Sequence, residues 1–185
     1  MRTAALFFVA VTLTTASACN SDDSANKNPK PSPPVSASQS PKPADPSETA
    51  KAEATGTYKQ YWQEMERLYA DSSGKGADLK QYAASAALKN AEADAKSMHD
   101  NGRIITGKVA VGSSTVTKLD IDGKIPNATV SSCLDISHWQ VIDSSTKKPV
   151  SLPSKRLTKY VVISTVEKWP EGWRVIKDEP QGQAC

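Results

Sequence analysis

Several residue types are scarce in this sequence, and their scarcity excludes common kinds of site. The 185 residues include three cysteines, two histidines and two phenylalanines, and both phenylalanines occur within the first eight residues. There is no C-x-x-C or H-E-x-x-H pair, no glycine-rich phosphate loop and no G-x-S-x-G elbow. We therefore expect no metal and no cofactor.

The sequence also lacks a strong excess of either positive or negative charge. Lysine and arginine number 23 against 20 acidic residues, which gives a formal net charge of +3. The two signs are mixed along the chain, and no basic stripe of the kind that follows a phosphate backbone is evident. Nucleic acid is therefore not an expected partner.

The N-terminus has the proportions of an export signal. A short basic start precedes an apolar run over residues 4–14, which is too short for a permanent membrane span. Ala16-Ser17-Ala18 then precedes Cys19, and this pattern resembles a bacterial lipobox but also fits ordinary signal peptidase. A lipid on Cys19 would account for the odd number of cysteines. We interpret residues 1–18 as a lipoprotein signal peptide and Cys19 as a membrane anchor on the extracytoplasmic face, with a free Cys19 after ordinary cleavage as the alternative.

The next segment differs sharply in composition. Residues 19–54 hold seven of the twelve prolines and few large apolar side chains. Such a stretch cannot bury enough surface to offset its ordering entropy, so we predict a disordered stalk. Residues 55–185 remain, which is the usual size of one domain.

The periodicity predicts helices first and strands afterwards. Apolar residues recur at helical spacing from Tyr58 to Tyr69, then over a short helix around residues 78–83, then from Ala84 to Met98. From Arg103 the period changes to two. We predict one strand over residues 103–111 and a second that ends at the Asp-Gly turn at 122–123. Three further apolar runs predict the remaining strands. We predict an α+β domain in which three helices cover a curved antiparallel sheet of about four to six strands. A bridge between Cys133 and Cys185 is expected after export.

The order of elements resembles the nuclear transport factor 2-like superfamily, and more narrowly the small secreted lipoproteins of actinobacteria that carry this domain. The matching pieces are Tyr58, Tyr61 and Trp62; Leu79, Tyr82 and Ala83; residues 128–135; residues 172–175; and Cys185. The resemblance implies a cone-shaped, ketosteroid-isomerase-like or cystatin-like fold with a cavity between helices and sheet. It does not imply a single function.

The expected function is binding without catalysis. An apolar pocket would be lined by Tyr58, Trp62, Tyr82, His138, Trp139, Tyr160 and Trp173. Its ligand would be a small apolar molecule or a protein of the cell envelope. The alternatives are an isomerase- or cyclase-like enzyme and an accessory subunit of an envelope complex. Isomerisation needs a carboxylate base, and Asp135 has the strand parity that faces away from the helices, so no catalytic residue is assigned.

Overall fold

The structure is a computed structural model that describes residues 45–185. Three helices precede six strands, which confirms the α+β class and the order of elements. The elements are α1 (Pro46–Ala70), α2 (Leu79–Tyr82), α3 (Ser85–Asp100), β1 (Arg103–Thr106), β2 (Ala110–Asp120), β3 (Asn127–Asp135), β4 (Gln140–Asp143), β5 (Lys159–Trp169) and β6 (Gly172–Ala184).

Helix α1 begins well before the predicted domain boundary at residue 55. The carboxylate of Asp45 accepts a hydrogen bond from the backbone N–H of Ser47, Pro46 occupies the first turn, and Glu48 adds a negative charge there. All three features stabilise a helix N-terminus. The stalk therefore does not extend to residue 54, and this boundary is a correction. The predicted signal peptide, Cys19 and the rest of the stalk lie outside the described residues.

The strands form two antiparallel sheets. The larger has the order β2-β3-β5-β6, and the smaller pairs β1 with β4. The predicted continuous strand over 103–111 is interrupted at Gly107, which has φ of 102°. A Cβ atom at this position would lie 2.0 Å from the carbonyl oxygen of His138. Only glycine fits this close approach, and the chain changes sheets there.

The core lies between the helices and one face of the larger sheet. Alternate β3 residues face the helices, and Ala128, Val130 and Leu134 are fully buried there. Three alanines of α3, at positions 87, 91 and 95, are buried as well. These small side chains allow α3 to lie close to the sheet, as the alanine-rich stripe in the sequence indicates.

The predicted disulfide is present. Cys133 and Cys185 are joined, with their Cα atoms 5.9 Å apart, a normal separation for a disulfide. Because Cys133 belongs to β3 and β5 lies between β3 and β6, the end of the chain after β6 crosses over β5 to reach it. It closes a long loop and fixes the C-terminus to the sheet.

Candidate functional site: a closed polar interior and an open apolar cleft

A small group of polar side chains lies between α1 and the larger sheet. The hydroxyl of Ser132 on β3 donates a hydrogen bond to the hydroxyl oxygen of Tyr58 on α1, at 3.0 Å. The hydroxyl of Ser164 on β5 donates to the carboxylate of Asp178 on β6, at 2.5 Å. Tyr58 and Ser164 have no exposed surface. We call these four residues the polar interior.

Burial controls the electrostatics of the polar interior. It raises the pKa of Asp178 to about 6, although hydrogen bonds from Ser164 and Tyr58 oppose the rise. Burial also raises the pKa of the Tyr58 phenol well above its usual value. The interior therefore holds a carboxyl group that exchanges its proton near neutral pH beside a phenol that keeps its own. Such a pair is chemically able to move a proton.

Sequence reasoning missed Asp178 because of an irregularity in β6. Thr165 pairs with Lys177, whereas the next partner, Val166, pairs with Val175. One residue of β6 is thus extra, and a bulge of this kind reverses which side chains face the helices. Trp173 and Val175 face inward before the bulge, and Asp178 faces inward after it. Strict alternation from Trp173 would place Asp178 outward.

Three of the four side chains of the polar interior, those of Tyr58, Ser132 and Ser164, are enclosed by the packed core. Tyr58, Val130, Leu134 and Val162 are completely buried and occupy the space between α1 and the sheet. None of the clefts described below is lined by Tyr58 or Asp178. Asp178 itself is only partly buried, whereas the three hydroxyl groups beside it are closed off by core side chains.

The structure distributes the seven predicted pocket residues over several places. Tyr58 belongs to the polar interior, and the partly buried Tyr160 lies near enough to Asp178 for the carboxylate to raise its pKa, in addition to burial. The Trp139 ring packs 6.1 Å from Trp62 and 5.5 Å from the Tyr69 ring, measured between centroids. Tyr82 is partly buried on α2. These residues do not line one shared pocket.

His138 is exposed, although its strand parity suggested that it faces the helices. The alternation does not reach it because β3 ends at Asp135. The Asp135 carboxylate accepts a hydrogen bond from the backbone N–H of Ser137 at 2.9 Å, which fixes a turn. Hydrogen bonds from Ser137 hold the pKa of Asp135 below its usual value. Neither residue has a position suited to acid–base chemistry in the interior.

Trp173 contributes to an open cleft at the beginning of α1. The cleft has a volume of about 360 Å³ and is walled mainly by apolar atoms from α1, the β2–β3 connection and the β5–β6 hairpin. A neighbouring cleft of about 410 Å³ shares Lys168 and contains Ile125, which is 49% exposed. The first cleft is lined by Pro46, Thr49, Ala50, Glu53, Ile121, Pro126, Lys168 and Trp173. We call it the Trp173 cleft.

The rim of the Trp173 cleft is polar and ordered by Glu53. Its carboxylate accepts a hydrogen bond from the indole N–H of Trp173 at 2.8 Å and pairs with the Lys168 ammonium at 2.8 Å. Hydrogen bonds from Lys168 and Trp173 hold the pKa of Glu53 below its usual value. The Lys168 ammonium also lies 5.7 Å from the Trp173 ring centroid. An apolar hollow with a few fixed polar groups is typical of small-molecule sites.

Two other clefts are more polar. One of about 540 Å³ runs between α1 and the β1–β2 connection, where Glu66 pairs with Lys108. Another of about 420 Å³ lies between Trp139 and the loop that precedes β5. Within residues 45–185, no group of three or more His, Cys, Asp or Glu side chains could hold a metal ion. None of the helices in the same range is both long and apolar enough to cross a bilayer.

Comparisons with known proteins give no family for this chain. No family model and no curated protein sequence matches it. A solved structure of the intermembrane space region of the chloroplast protein ARC6 is similar over 75% of this chain and 98% of its own length. The sequence identity is 11% and the TM-score is 0.49, and a likeness of this degree supports no conclusion about fold family or function.

Proposed function

We propose that this chain is a lipoprotein anchored through Cys19 to the extracytoplasmic face of the cell membrane, with a domain that binds without catalysing a reaction. Its ligand is a small apolar molecule, or an apolar side chain of an envelope protein, held in the Trp173 cleft. The domain belongs to the cone-shaped, nuclear transport factor 2-like type. If the ligand is a side chain of an envelope protein, this chain acts as an accessory subunit of an envelope complex.

The observation that carries this proposal is the contrast between a filled interior and an open apolar cleft. Pro46, Ile121 and Pro126 leave apolar surface accessible beside the buried Trp173. A mainly apolar hollow with a few polar groups commonly marks a small-molecule site. Glu53 and Lys168 at the rim can orient a ligand by hydrogen bonding. The interior, in contrast, offers no comparable opening to a ligand.

The anchor is supported by the cysteine arrangement. Cys133 and Cys185 use each other, which leaves Cys19 as the third cysteine of the chain. Structural disulfides form in oxidising compartments outside the cytoplasm. Two or three acyl chains would give stable attachment, because each buried methylene contributes about 0.8 kcal/mol.

Ligand binding is tested with the neutral apolar dye Nile red. We expect saturable binding to the wild-type chain and its loss in Thr49→Tyr, because the larger side chain at the lining position fills the cleft. Gln60→Tyr is the matched control, since Gln60 is exposed on the same helix and lines none of the described clefts. Equal binding by wild type and Thr49→Tyr would exclude the Trp173 cleft as the site.

The anchor is tested by growing the native bacterium, or a bacterial host that processes lipoproteins, with an alkyne-tagged fatty acid. We expect the label on the wild-type chain and none on Cys19→Ala. A Cys133→Ala, Cys185→Ala variant controls for attachment at other thiols and should keep the label. An unlabelled wild-type chain would refute lipidation and leave the soluble alternative.

The second candidate is an enzyme that moves a proton, and the pairing of Asp178 with Tyr58 favours it. Asp178 would act as the base and the Tyr58 hydroxyl as a donor to a developing enolate. The test is exchange of the α-protons of an enolisable steroid ketone in deuterated water, followed by mass spectrometry. Exchange catalysed by wild type and abolished in Asp178→Asn would support the enzyme, whereas absence of exchange would leave the binding role.

A further inference from the structure

The loop before β5 concentrates positive charge that the balanced overall composition hides. No acidic residue occurs from position 144 to position 166. Within that stretch, Lys147, Lys148, Lys155 and Lys159 are exposed, and Arg156 is partly exposed. We call residues 147–159 the basic segment.

The positive charge of the basic segment is only partly offset by the rest of the domain. Among the residues that the structure describes, none of the five forms an ion pair within 4 Å. Two carboxylates lie nearby: Asp135 is the cross-strand partner of Lys159, and Asp143 accepts hydrogen bonds from Ser145 and Thr146 at 2.7 Å each. With five cations against these two carboxylates, the segment presents a net positive surface.

An exposed leucine lies among these charges. Leu157 is 45% exposed and is flanked by Arg156 and Lys159 in the segment. Apolar residues of the same loop, including Val150 and Leu152, line the adjacent cleft of about 420 Å³. Basic side chains around a protruding apolar residue suit the boundary between lipid headgroups and acyl chains.

We infer that the basic segment docks on anionic phospholipid headgroups of the membrane to which the chain is tethered. This inference rests on the proposed lipid anchor, which keeps that surface within reach. From Cys19 to Asp45 the chain has 26 residues (45 − 19), which span on the order of 85 Å at most. Helix α1 has 25 residues and so is about 37 Å long. The tether is therefore long enough for the end of the domain opposite Pro46 to meet the membrane.

The geometry predicts which lipids are recognised. Lysine ammonium and arginine guanidinium groups are attracted to phosphate, and an anionic surface strengthens association on the order of fivefold per basic residue. The Leu157 side chain adds contact with the acyl region. Association should weaken as salt is raised, because the charges are exposed and screened.

The test uses the chain from Asn20 to Cys185, which lacks Cys19, in flotation with vesicles of phosphatidylglycerol and phosphatidylcholine or of phosphatidylcholine alone. We expect binding to the anionic vesicles only. The variant Lys155→Gln, Arg156→Gln, Lys159→Gln should lose at least about tenfold in affinity. The matched control Lys75→Gln, Lys89→Gln, Lys124→Gln removes the same charge from three exposed sites elsewhere and should change affinity less than about threefold.

A second pair of variants separates the apolar contact from the charge. Leu157→Ala should weaken binding to anionic vesicles, whereas Ile125→Ala, at another exposed large aliphatic residue, should not. Equal losses from both lysine triples, or equal binding to neutral vesicles, would overturn the docking. Binding to soluble polyphosphate with none to vesicles would assign the segment to an anionic polymer and also overturn it.

The outcomes distinguish this inference from the anchor. Fatty-acid labelling of Cys19 without binding of the unlipidated chain to vesicles would refute only the docking. Vesicle binding without labelling would refute only the anchor.

Discussion

The polar interior around Tyr58 and the cleft around Trp173 lie along the same helix, yet polarity is distributed between them in opposite ways. The interior buries three hydroxyl groups and partly buries a carboxyl group, and these groups pair with one another. The cleft exposes apolar walls and keeps its charges paired at the rim. Buried polar groups and exposed apolar surface are the informative departures from ordinary burial. The polar groups of the interior already pair with one another, whereas part of the apolar surface of the cleft stays in contact with water. We therefore infer a structural role for the interior and a binding role for the cleft.

The largest expected effect concerns the disulfide, which holds the end of the strand that contributes to both regions. Cys133→Ser, Cys185→Ser opens a loop with a sequence separation of 52 residues and should lower the free energy of unfolding by roughly 4 kcal/mol. Urea denaturation measures the loss. Nile red binding should persist in the folded variant, because Trp173 pairs with Lys168 far from the bridge. A loss below about 1 kcal/mol would contradict the chain-entropy estimate for this bridge.

The next largest effect concerns the protonation of Asp178 in the polar interior. The pKa of Asp178 is about 6 in the folded protein and near 3.9 in an unfolded chain, so between these values the folded state binds the proton more tightly. Stability should therefore fall by about 3 kcal/mol as pH rises from about 4 to about 6, and it should not fall further above that range. Asp178→Asn should lack this fall, measured as the difference in urea midpoints across pH. Asp122→Asn, at an exposed position in the β2–β3 turn that does not act on Asp178, should retain it. The same slope in wild type and Asp178→Asn would show that Asp178 is not the titrating group.

A smaller effect is expected from one hydroxyl of the interior. Tyr58→Phe leaves the Ser132 donor without its acceptor and should cost about 1 to 2 kcal/mol of stability. Dye binding at the cleft should not change. Tyr160→Phe serves as the comparison at a partly buried tyrosine and should cost less. If Tyr58→Phe abolished dye binding in a folded protein, the ligand would reach the interior and the contrast between the two regions would fail.

The smallest effect belongs to the rim of the cleft. Glu53→Gln removes the charge that pairs with Lys168 but keeps an acceptor for the Trp173 indole. The Glu53 side chain is 48% exposed, so we expect less than about 1 kcal/mol of stability to be lost in thermal unfolding. Glu48→Gln, at another exposed pair of the same helix, is the control. A loss much larger than that of the control would mean that Glu53 organises the fold and not only the rim.

Much of the fold could be predicted from the sequence because periodicity reports burial directly. The stripe from Tyr58 to Tyr69 and the alternation of β3 both match the buried residues. The beginning of α1 was placed too late because proline-rich composition outweighed a local signal. Asp45-Pro46-Ser47-Glu48 combines a capping side chain, a proline in the first turn and an early acidic residue, and it is a recognisable helix start.

The site was less predictable because it depends on non-local geometry. The bulge in β6 that turns Asp178 inward arises from pairing with β5. No local sequence pattern predicts it. The Trp173 cleft requires the beginning of α1 and two strand connections to meet. Sequence patterns predicted Trp173 as a lining residue of one apolar pocket and could not place it apart from Trp62 and Trp139.

The most direct test of binding at the cleft uses the four tryptophans, since the indole N–H of each reports on a different place. Two-dimensional nitrogen–proton NMR would follow these four signals while Nile red is added. We expect the Trp173 signal to shift, with a smaller change at nearby Trp169, while those of Trp62 and Trp139 stay fixed. A shift of Trp62, which packs beside the buried tyrosines of α1, with Trp173 unchanged, would place the ligand in the interior and contradict the assignment.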